Sequence, residues 1–533
     1  MKTLRPLLAL LLVLMLLSAC GSATGATPQA GQPSASAPPQ GSADTGIMNP
    51  EGLPIVKEPY TLKLMGYQHD TVYKDLNELG IVKEWEAQTG IKFEFEVVNP
   101  ADKVERVNLA IATNNLPDVF YGNIATDLVK NGSEGTYLAL EELIEKWCPN
   151  ITALFNERPE IKNTATAPDG HIYGFPKFYE TGQHNCYGFY IHMDWLEDTG
   201  LGMPQTTDEL LTVLRAMKGK DLNGNGIADE YPLGFTSKDS LFNYGNFYTW
   251  FGMPAYNIVY VGEDGKVGSG FTHPGYKAGL DFVHTLYSEG LCDPEVYTQD
   301  VQAYRAKVKE YKYGSFFMFA PYNSFGTEMN KEDYRYELVP APKAPDGNTG
   351  WVWNPTTPET NAMVITKACR NPEIAARFAD YCAETEMSLQ LGEGLLGQNL
   401  LSNGDGTYHM ANPMGEGETF AGFSFHILTR DRLKLVEPGF LATQRVPRTE
   451  LYEPIVNKDT IYPSIMSTAE EAEQIAVLQT EIMNLINQKQ AEWVVNGDLE
   501  EGWDAYVKQL EAMKLNDLIA IYQTMYDRYL ANK

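Results

Sequence analysis

Apolar and polar residues alternate along Tyr60-Thr61-Leu62-Lys63-Leu64-Met65, which predicts a strand. Leu76, Leu79, Val82 and Trp85 then recur at helical spacing within residues 74–88. Ile91-Lys92-Phe93-Glu94-Phe95-Glu96-Val97 is apolar at every other position and predicts a second strand. A helix across Val104, Val107, Leu109 and Ile111 follows, then a strand at Asp118-Val119-Phe120-Tyr121. This βαβαβ order predicts an α/β protein with a mostly parallel, doubly wound sheet. Such sheets take ligands at the carboxyl ends of their strands. Just past those ends lie Gly66-Tyr67-Gln68-His69-Asp70 and Gly122-Asn123.

Helix boundaries are marked further along the chain. Thr206-x-x-Glu209 is a capping box ahead of Leu210, Val213, Leu214 and Met217. Asn371-Pro372 offers an N-cap and a first-turn proline to a helix holding Ile374 and Phe378. Near the end, Ile475, Leu478, Ile482 and Leu485 form one helical stripe, and Leu518, Tyr522, Met525 and Tyr529 form another.

The amino terminus reads differently. Lys2 and Arg5 precede an apolar run from Pro6 to Leu17. That run is far shorter than the roughly 20 residues of a spanning helix, so it reads as the core of an export signal over residues 1–19. Leu17-Ser18-Ala19-Cys20 resembles the lipobox of bacterial lipoproteins, in which the cysteine becomes the diacylated first residue of the mature chain. Residues 20–58, rich in Gly, Ser, Ala, Thr, Pro and Gln, read as a flexible tether holding a soluble body near the membrane. No later segment reaches spanning length.

A chain of 533 residues with 43% hydrophobic content exceeds one ordinary domain and predicts at least two large lobes. Its formal charge of −29 argues against binding a phosphate backbone, so nucleic acid is not expected as a partner. Five cysteines follow Cys20: Cys148, Cys186, Cys292, Cys369 and Cys382. They are widely spaced and lack any Cys-x-x-Cys pair, which supports neither a disulfide framework nor a zinc ribbon. Buried small apolar positions are expected for most of them. Nucleophile-elbow, Walker, His-Glu-x-x-His and dinucleotide fingerprints are all absent from the sequence.

One motif is sharp. Asp221-Leu222-Asn223-Gly224-Asn225-Gly226-Ile227-Ala228-Asp229-Glu230 puts oxygen donors at loop positions 1, 3, 5 and 9. Gly226 falls where an EF-hand-type loop turns sharply, and Ile227 would give its carbonyl. Pro232 occupies the usual place of the bidentate acid, so Glu230 is the substitute expected. Hard oxygen ligands favour Ca²⁺ in a structural role. Without a metal, the same stretch reads as a solvated Asn-Gly turn.

These features together carry a resemblance. Leu116-Pro117-Asp118-Val119 is one segment; another is Asp194-Trp195-Leu196-x-x-x-Gly200-Leu201-x-x-Pro204-x-Thr206-x-x-Glu209-Leu210. Tyr287-x-x-Gly290-Leu291-x-Asp293-Pro294, Ile365-Thr366-Lys367-x-x-x-Asn371-Pro372-Glu373 and Trp503-Asp504-x-Tyr506-Val507 add to it. Over nearly all of residues 58–533 the chain resembles the family 1 extracellular solute-binding proteins, the lipoprotein components of ABC-type oligosaccharide importers in Gram-positive bacteria. The calcium loop resembles that of the large oligosaccharide-binding branch.

The resemblance implies a two-lobed periplasmic-binding-protein-like fold with doubly wound sheets, a hinge and a ligand cleft between the lobes. It implies a first lobe of residues 59–180 plus about 338–430, and a second of 181–337 plus about 431–533. The chain would cross near 178–186, return near Val339-Pro340-Ala341-Pro342, and cross again around 425–450. It also implies capture of an oligosaccharide and its delivery to permease subunits at the cell surface, for which a monomer suffices. Tyr322 stands where the family often places an aromatic sugar platform.

Sugar clefts combine aromatic faces with planar amides and carboxylates. Four clusters have that composition: Tyr67, Gln68 and Asp70; Tyr121 and Asn123; Tyr244, Tyr248 and Trp250; and Tyr322 with Asn323, joined by Trp351 and Trp353. Tyr121 alternates with Val119 and reads equally as core. Two other functions fit the same sequence. A lipid-anchored glycoside hydrolase would need two facing carboxylates in the cleft, and a ligand-presenting sensor for a receptor kinase would share the fold.

Overall fold

In β1 (Tyr60–Tyr67) and β2 (Ile91–Val98) the alternation found in the sequence becomes a parallel pair, with Tyr60 opposite Ile91 and Tyr67 opposite Val98. β2 lies at the sheet's edge, so it buries Ile91, Phe93 and Phe95 and exposes Lys92, Glu94 and Glu96. The computed structural model describes residues 45–531 except 68–73, 181–185, 239–243, 327–333, 354–356, 412–423, 430, 433 and 435–445. The export signal, Cys20, Gln68 and Asp70 therefore lie outside the described residues, and Tyr322 and Asn323 are described by backbone alone.

Among the described residues twelve more strands follow in chain order: β3 (Val119–Tyr121), β4 (Phe175–Tyr179), β5 (Gly188–His192), β6 (Tyr231–Gly234), β7 (Tyr260–Val261) and β8 (Val267–Gly268) succeed the first two. β9 (Tyr313–Met318), β10 (Tyr336–Leu338), β11 (Glu359–Ile365), β12 (Leu400–Ser402), β13 (Tyr408–Met410) and β14 (Ile427–Leu428) complete them. The protein is two-lobed, each lobe built on one sheet. The first has the order β14-β4-β11-β3-β1-β2 and the second β10-β5-β9-β6. Both are mixed, because β11 runs antiparallel to β3 and β4 and β5 runs antiparallel to β9 and β10. The antiparallel β11 brings its amino end to the carboxyl edge of β3 and β4, which matters for the site.

Helices cover both faces of the first sheet. On one, Trp85 of Gly80–Thr89 meets Phe93 and Phe378 edge-on at centroid distances of 5.4 and 4.9 Å. On the other, Val107 and Ala110 pack with Met65, Phe120 and Val364. In the second sheet every residue of β9 is buried, with Phe317 facing one core and Phe316 and Met318 the other. Helices Ala469–Asn496, Leu499–Ala512 and Leu515–Ala531 close the second core through Ile482, Ile486, Leu510 and Leu518.

Local signals map closely onto this structure. Thr206 Oγ1 accepts from Glu209 N–H at 3.1 Å while Glu209 Oε2 accepts from Thr206 N–H at 3.3 Å, the reciprocal box expected. The five described cysteines are free and buried. Asn371 makes no capping bond; its amide turns to Glu373 Oε1 at 3.3 Å instead.

Two expectations are corrected. The tether does not extend to residue 58: Met48, Ile55 and Val56 are buried in the first core, and Ile47 packs against it. Ile55 N–H donates to Thr89 O at 2.8 Å, and Arg377 reaches Asn49 O and Gly52 O. Four apolar residues suffice to dock a segment whose Gly and Pro content reads as linker. The return to the first lobe also comes later than Val339–Pro342. Val339, Trp351, Val352 and Trp353 all pack in the second core, and the chain enters the first sheet at Glu359. It leaves that sheet after Leu428 and is back in the second core by Tyr452.

Candidate functional site

Four polar or aromatic side chains converge on the carboxyl edge of the first sheet. Tyr67 ends β1, with Lys103 Nζ 4.6 Å above its ring centroid. Asn123 follows β3 in the left-handed region (φ 59), entered through Gly122 at φ 85. Glu359 opens β11 directly opposite Lys177 of β4 in the ladder. That register brings Lys177 Nζ to 2.7 Å from Glu359 Oε1, and Asn123 donates its amide N–H to Glu359 Oε2. Burial, and then the Glu359 charge, pushes the Tyr67 phenol above its ordinary range.

Beside them, Tyr179 donates its hydroxyl to Glu393, and its ring meets His426 edge-on at 5.4 Å. His426 is fully enclosed, with Nδ1 3.0 Å from Ser424 O. Burial and the nearby Lys177 ammonium push its pKa down to about 3. His192, buried near Arg335, is pushed down to about 4, mainly by burial.

An unfolded histidine takes a proton below about pH 6.5 while these two stay neutral in the fold. Stability is therefore lost as pH falls from about 6.5 toward 3–4. Asp380 acts oppositely: burial pushes its carboxyl up to about 6, so its contribution is lost as pH rises through that value. We expect His426→Gln to be less acid-sensitive than wild type by about 2 kcal/mol at pH 5 relative to pH 7.5. Denaturant melts at the two pH values check this, and equal acid losses in both proteins would refute it.

On the second lobe, Met318 ends β9 and the chain turns through Phe319-Ala320-Pro321 into the helical turn Tyr322–Phe325. Arg448, without accessible surface, lies 4.4 Å over the Phe319 ring and donates to Phe319 O. Trp351 stacks on Tyr452 at 3.6 Å and 6°, and donates its indole N–H to Tyr187 O at 2.9 Å.

Most aromatics expected in the cleft pack in the cores. Tyr121 is buried between Trp85 and Phe95. Tyr248 stacks on Tyr256 at 5.0 Å, and Tyr244 meets the same ring edge-on at 5.6 Å. Trp250 has 0% exposure, enclosed by Phe247, Phe189, Phe317 and Phe282 at 5.3–6.2 Å. Trp351 and Trp353 are buried in the same core. Glycine is the physical reason for the enclosure of the 244–250 stretch. Gly275 and Gly279 lie on helix Pro274–Ser288, and a Cβ there would stand 2.4 Å from Met253 N and 2.7 Å from the Tyr248 ring. Their absence of side chains lets the helix lie flat on these aromatics. Glu359, Lys177 and Arg448 were not foreseen; the signal for the first two is the β4–β11 register, which no local pattern contains.

The 221–230 loop curls around its first residue. Asp221 Oδ1 accepts from Gly224 and Asn225 N–H at 2.9 and 3.1 Å, and Oδ2 accepts from Gly226 N–H at 2.8 Å. Gly224 and Gly226 adopt φ 75 and 88. Asp229 is held by Lys312 Nζ at 2.6 Å. Glu230 is 6% exposed, its Oε1 is buried without a partner, and burial pushes its carboxyl upward. Among the described residues no three acidic, His or Cys side chains are drawn together as around a metal. The donor chemistry, with a buried carboxylate oxygen awaiting a partner, nevertheless fits a hard cation held by Asp221, Asn223, Asn225, the Ile227 carbonyl, Asp229 and Glu230.

The chain is similar to known proteins along nearly its whole length. FusA, a fructooligosaccharide ABC transporter substrate-binding protein of Streptococcus pneumoniae, is 32% identical over 90% of this chain and 92% of its own. A solved structure of S. pneumoniae FusA, an EF-hand mutant in complex with fructo-nystose, superposes with a TM-score of 0.78 at 30% identity, covering 89% of this chain and 100% of that one. An extracellular solute-binding protein of Bifidobacterium longum subsp. infantis shares the fold at TM-score 0.79 and 24% identity, covering 88% and 98%. The family profile described as bacterial extracellular solute-binding protein matches residues 76–388. This chain belongs to the bacterial extracellular solute-binding protein family, in which FusA is a substrate-binding protein of an ABC transporter and not an enzyme.

Proposed function

We propose that this protein captures a fructose-containing oligosaccharide in the cleft between its lobes and delivers it to the permease of an ABC importer. The observation that carries the reading is the convergence of Tyr67, Asn123, Lys177 and Glu359 on the carboxyl edge of the first sheet. Identity of 32% to FusA along nearly the full chain supports the ligand class. Binding free energy shifts an open–closed equilibrium of the lobes, and the permease reads the closed form. Cys20 serves as the site of lipid attachment to the outer face of the membrane. Tyr322, Asn323, Gln68 and Asp70 complete the ligand contacts in this reading.

Calorimetric titration of residues 21–533 with kestose and nystose tests it. Saturable binding with the sugar recovered intact supports the proposal; no heat and no rise in melting temperature with either sugar overturns it, since any ligand of the folded state must stabilise it.

Ca²⁺ in the 221–230 loop is the second part of this reading, as a structural clamp beside β6. Ion at 100 times its dissociation constant adds about 2.7 kcal/mol. Chelator is therefore expected to lower the melting temperature by several degrees in wild type and by none in Asp221→Ala. An unmoved wild-type melt would remove calcium from the account.

A further inference from the structure

The pair Lys177–Glu359 stands at the ligand-facing edge, yet its two charges are not equally available. Lys177 is nearly enclosed, with 11% of its side chain exposed, whereas 46% of the Glu359 side chain is exposed. The lysine is committed to Glu359 Oε1 at 2.7 Å, and His426 behind it is neutral. Asn123 donates to the other carboxylate oxygen, Oε2. Both oxygens are thus held in place while each keeps a lone pair able to accept a further hydrogen bond.

We propose that Glu359, held by Lys177 and Asn123, is the specificity-determining anchor of the first lobe: it accepts hydrogen bonds from the hydroxyls of a neutral sugar and rejects uronic-acid oligosaccharides. The inference rests on the binding-protein reading above and adds to it the charge class of the ligand. A carboxylate fixed by two donors is a strong acceptor for a pair of neighbouring hydroxyls, because O–H···O⁻ bonds are shorter and stronger than neutral ones. Preorganisation by the lysine and the amide removes the ordering cost that a free side chain would bear on binding.

A uronate placed there would set its own carboxylate against that of Glu359. One of the two would have to take up a proton or move away. The lysine whose charge could offset a sugar acid is already engaged with Glu359. Arg158, beside the end of β4, is bound to Glu180, and Lys103 lies on the Tyr67 ring. Its partly exposed ammonium sits in a solvated setting where screening weakens a charge, and it makes no described bond to the Glu359 carboxylate.

The test uses the mature chain, residues 21–533, titrated calorimetrically with kestose and with trigalacturonic acid. Wild type is expected to bind kestose and to give no saturable heat with the uronate. Glu359→Gln should weaken kestose binding at least tenfold, because it replaces a charged acceptor and leaves one oxygen in place of two. Should that variant melt much lower than wild type, the double variant Lys177→Met, Glu359→Gln removes the cation left behind and carries the same expectation.

Kestose affinity within about threefold of wild type in a folded variant overturns the anchor and leaves the binding-protein reading intact. Wild type binding the uronate as tightly as kestose overturns the selection. Wild type binding neither overturns the functional reading, and this inference with it.

Discussion

Trp250→Ala is expected to destabilise the protein by about 3–5 kcal/mol while leaving sugar affinity unchanged in the fraction that remains folded. The indole has no accessible surface and fills the space between Phe189, Phe247, Phe282 and Phe317, from opposite sides of the second core. Truncation opens a cavity that five aromatic neighbours, Trp351 included, cannot collapse to fill. Trp250→Phe keeps much of the packing and should lose markedly less. Thermal melts and kestose titration of both variants separate the two roles that an aromatic residue in this stretch can have. A melt close to wild type with binding abolished would return Trp250 to the cleft.

Asp293→Ala is the second large effect, again about 3–5 kcal/mol. The Asp293 carboxylate is fully buried; Oδ2 lies 2.7 Å from Lys307 Nζ and accepts from Tyr313 O–H at 2.5 Å, while Oδ1 accepts from Glu295 N–H at 2.9 Å. Burial, and then the Asp293 charge, drives the Tyr313 phenol far above its ordinary range, so it acts only as a donor. Removing the carboxylate leaves Tyr313 a 3.3 Å contact to Gln299 and leaves Lys307 with Glu295. Asp293→Asn retains an acceptor and should cost less than the alanine variant. Urea melts decide the matter: a loss below about 1 kcal/mol for Asp293→Ala would mean the network is dispensable.

Asp293 also shows what the sequence could convey. It stands in Tyr287-x-x-Gly290-Leu291-x-Asp293-Pro294, one of the segments by which the family is recognisable, yet nothing local says that it ties helix Val301–Lys309 to β9. Features set by neighbours in sequence were legible: the Thr206–Glu209 box, and the alternation of β2, which survives because an edge strand has one covered face. Features set by distant partners were not. Whether Trp250 faces a core or a cleft depends on glycines at 275 and 279, and the placement of Glu359 depends on pairing with Lys177 and Asn123 across long stretches of chain. Composition misled at residues 47–58, because four apolar side chains outweigh their Gly and Pro neighbours once a core is there to receive them.

The interleaving of the two sheets also sets an order in time. β14 at residues 427–428 belongs to a sheet begun at residue 60, and the core around β5 and β9 is sealed by Leu510, Leu515 and Leu518. A chain synthesised from its amino end therefore cannot complete its first sheet before residue 428, and its second core is still uncovered when the last few dozen residues are made. The second lobe is therefore the last part of the chain to be sealed. By the same logic, loss of the final two helices would strip the cover from a whole lobe and not merely trim a tail.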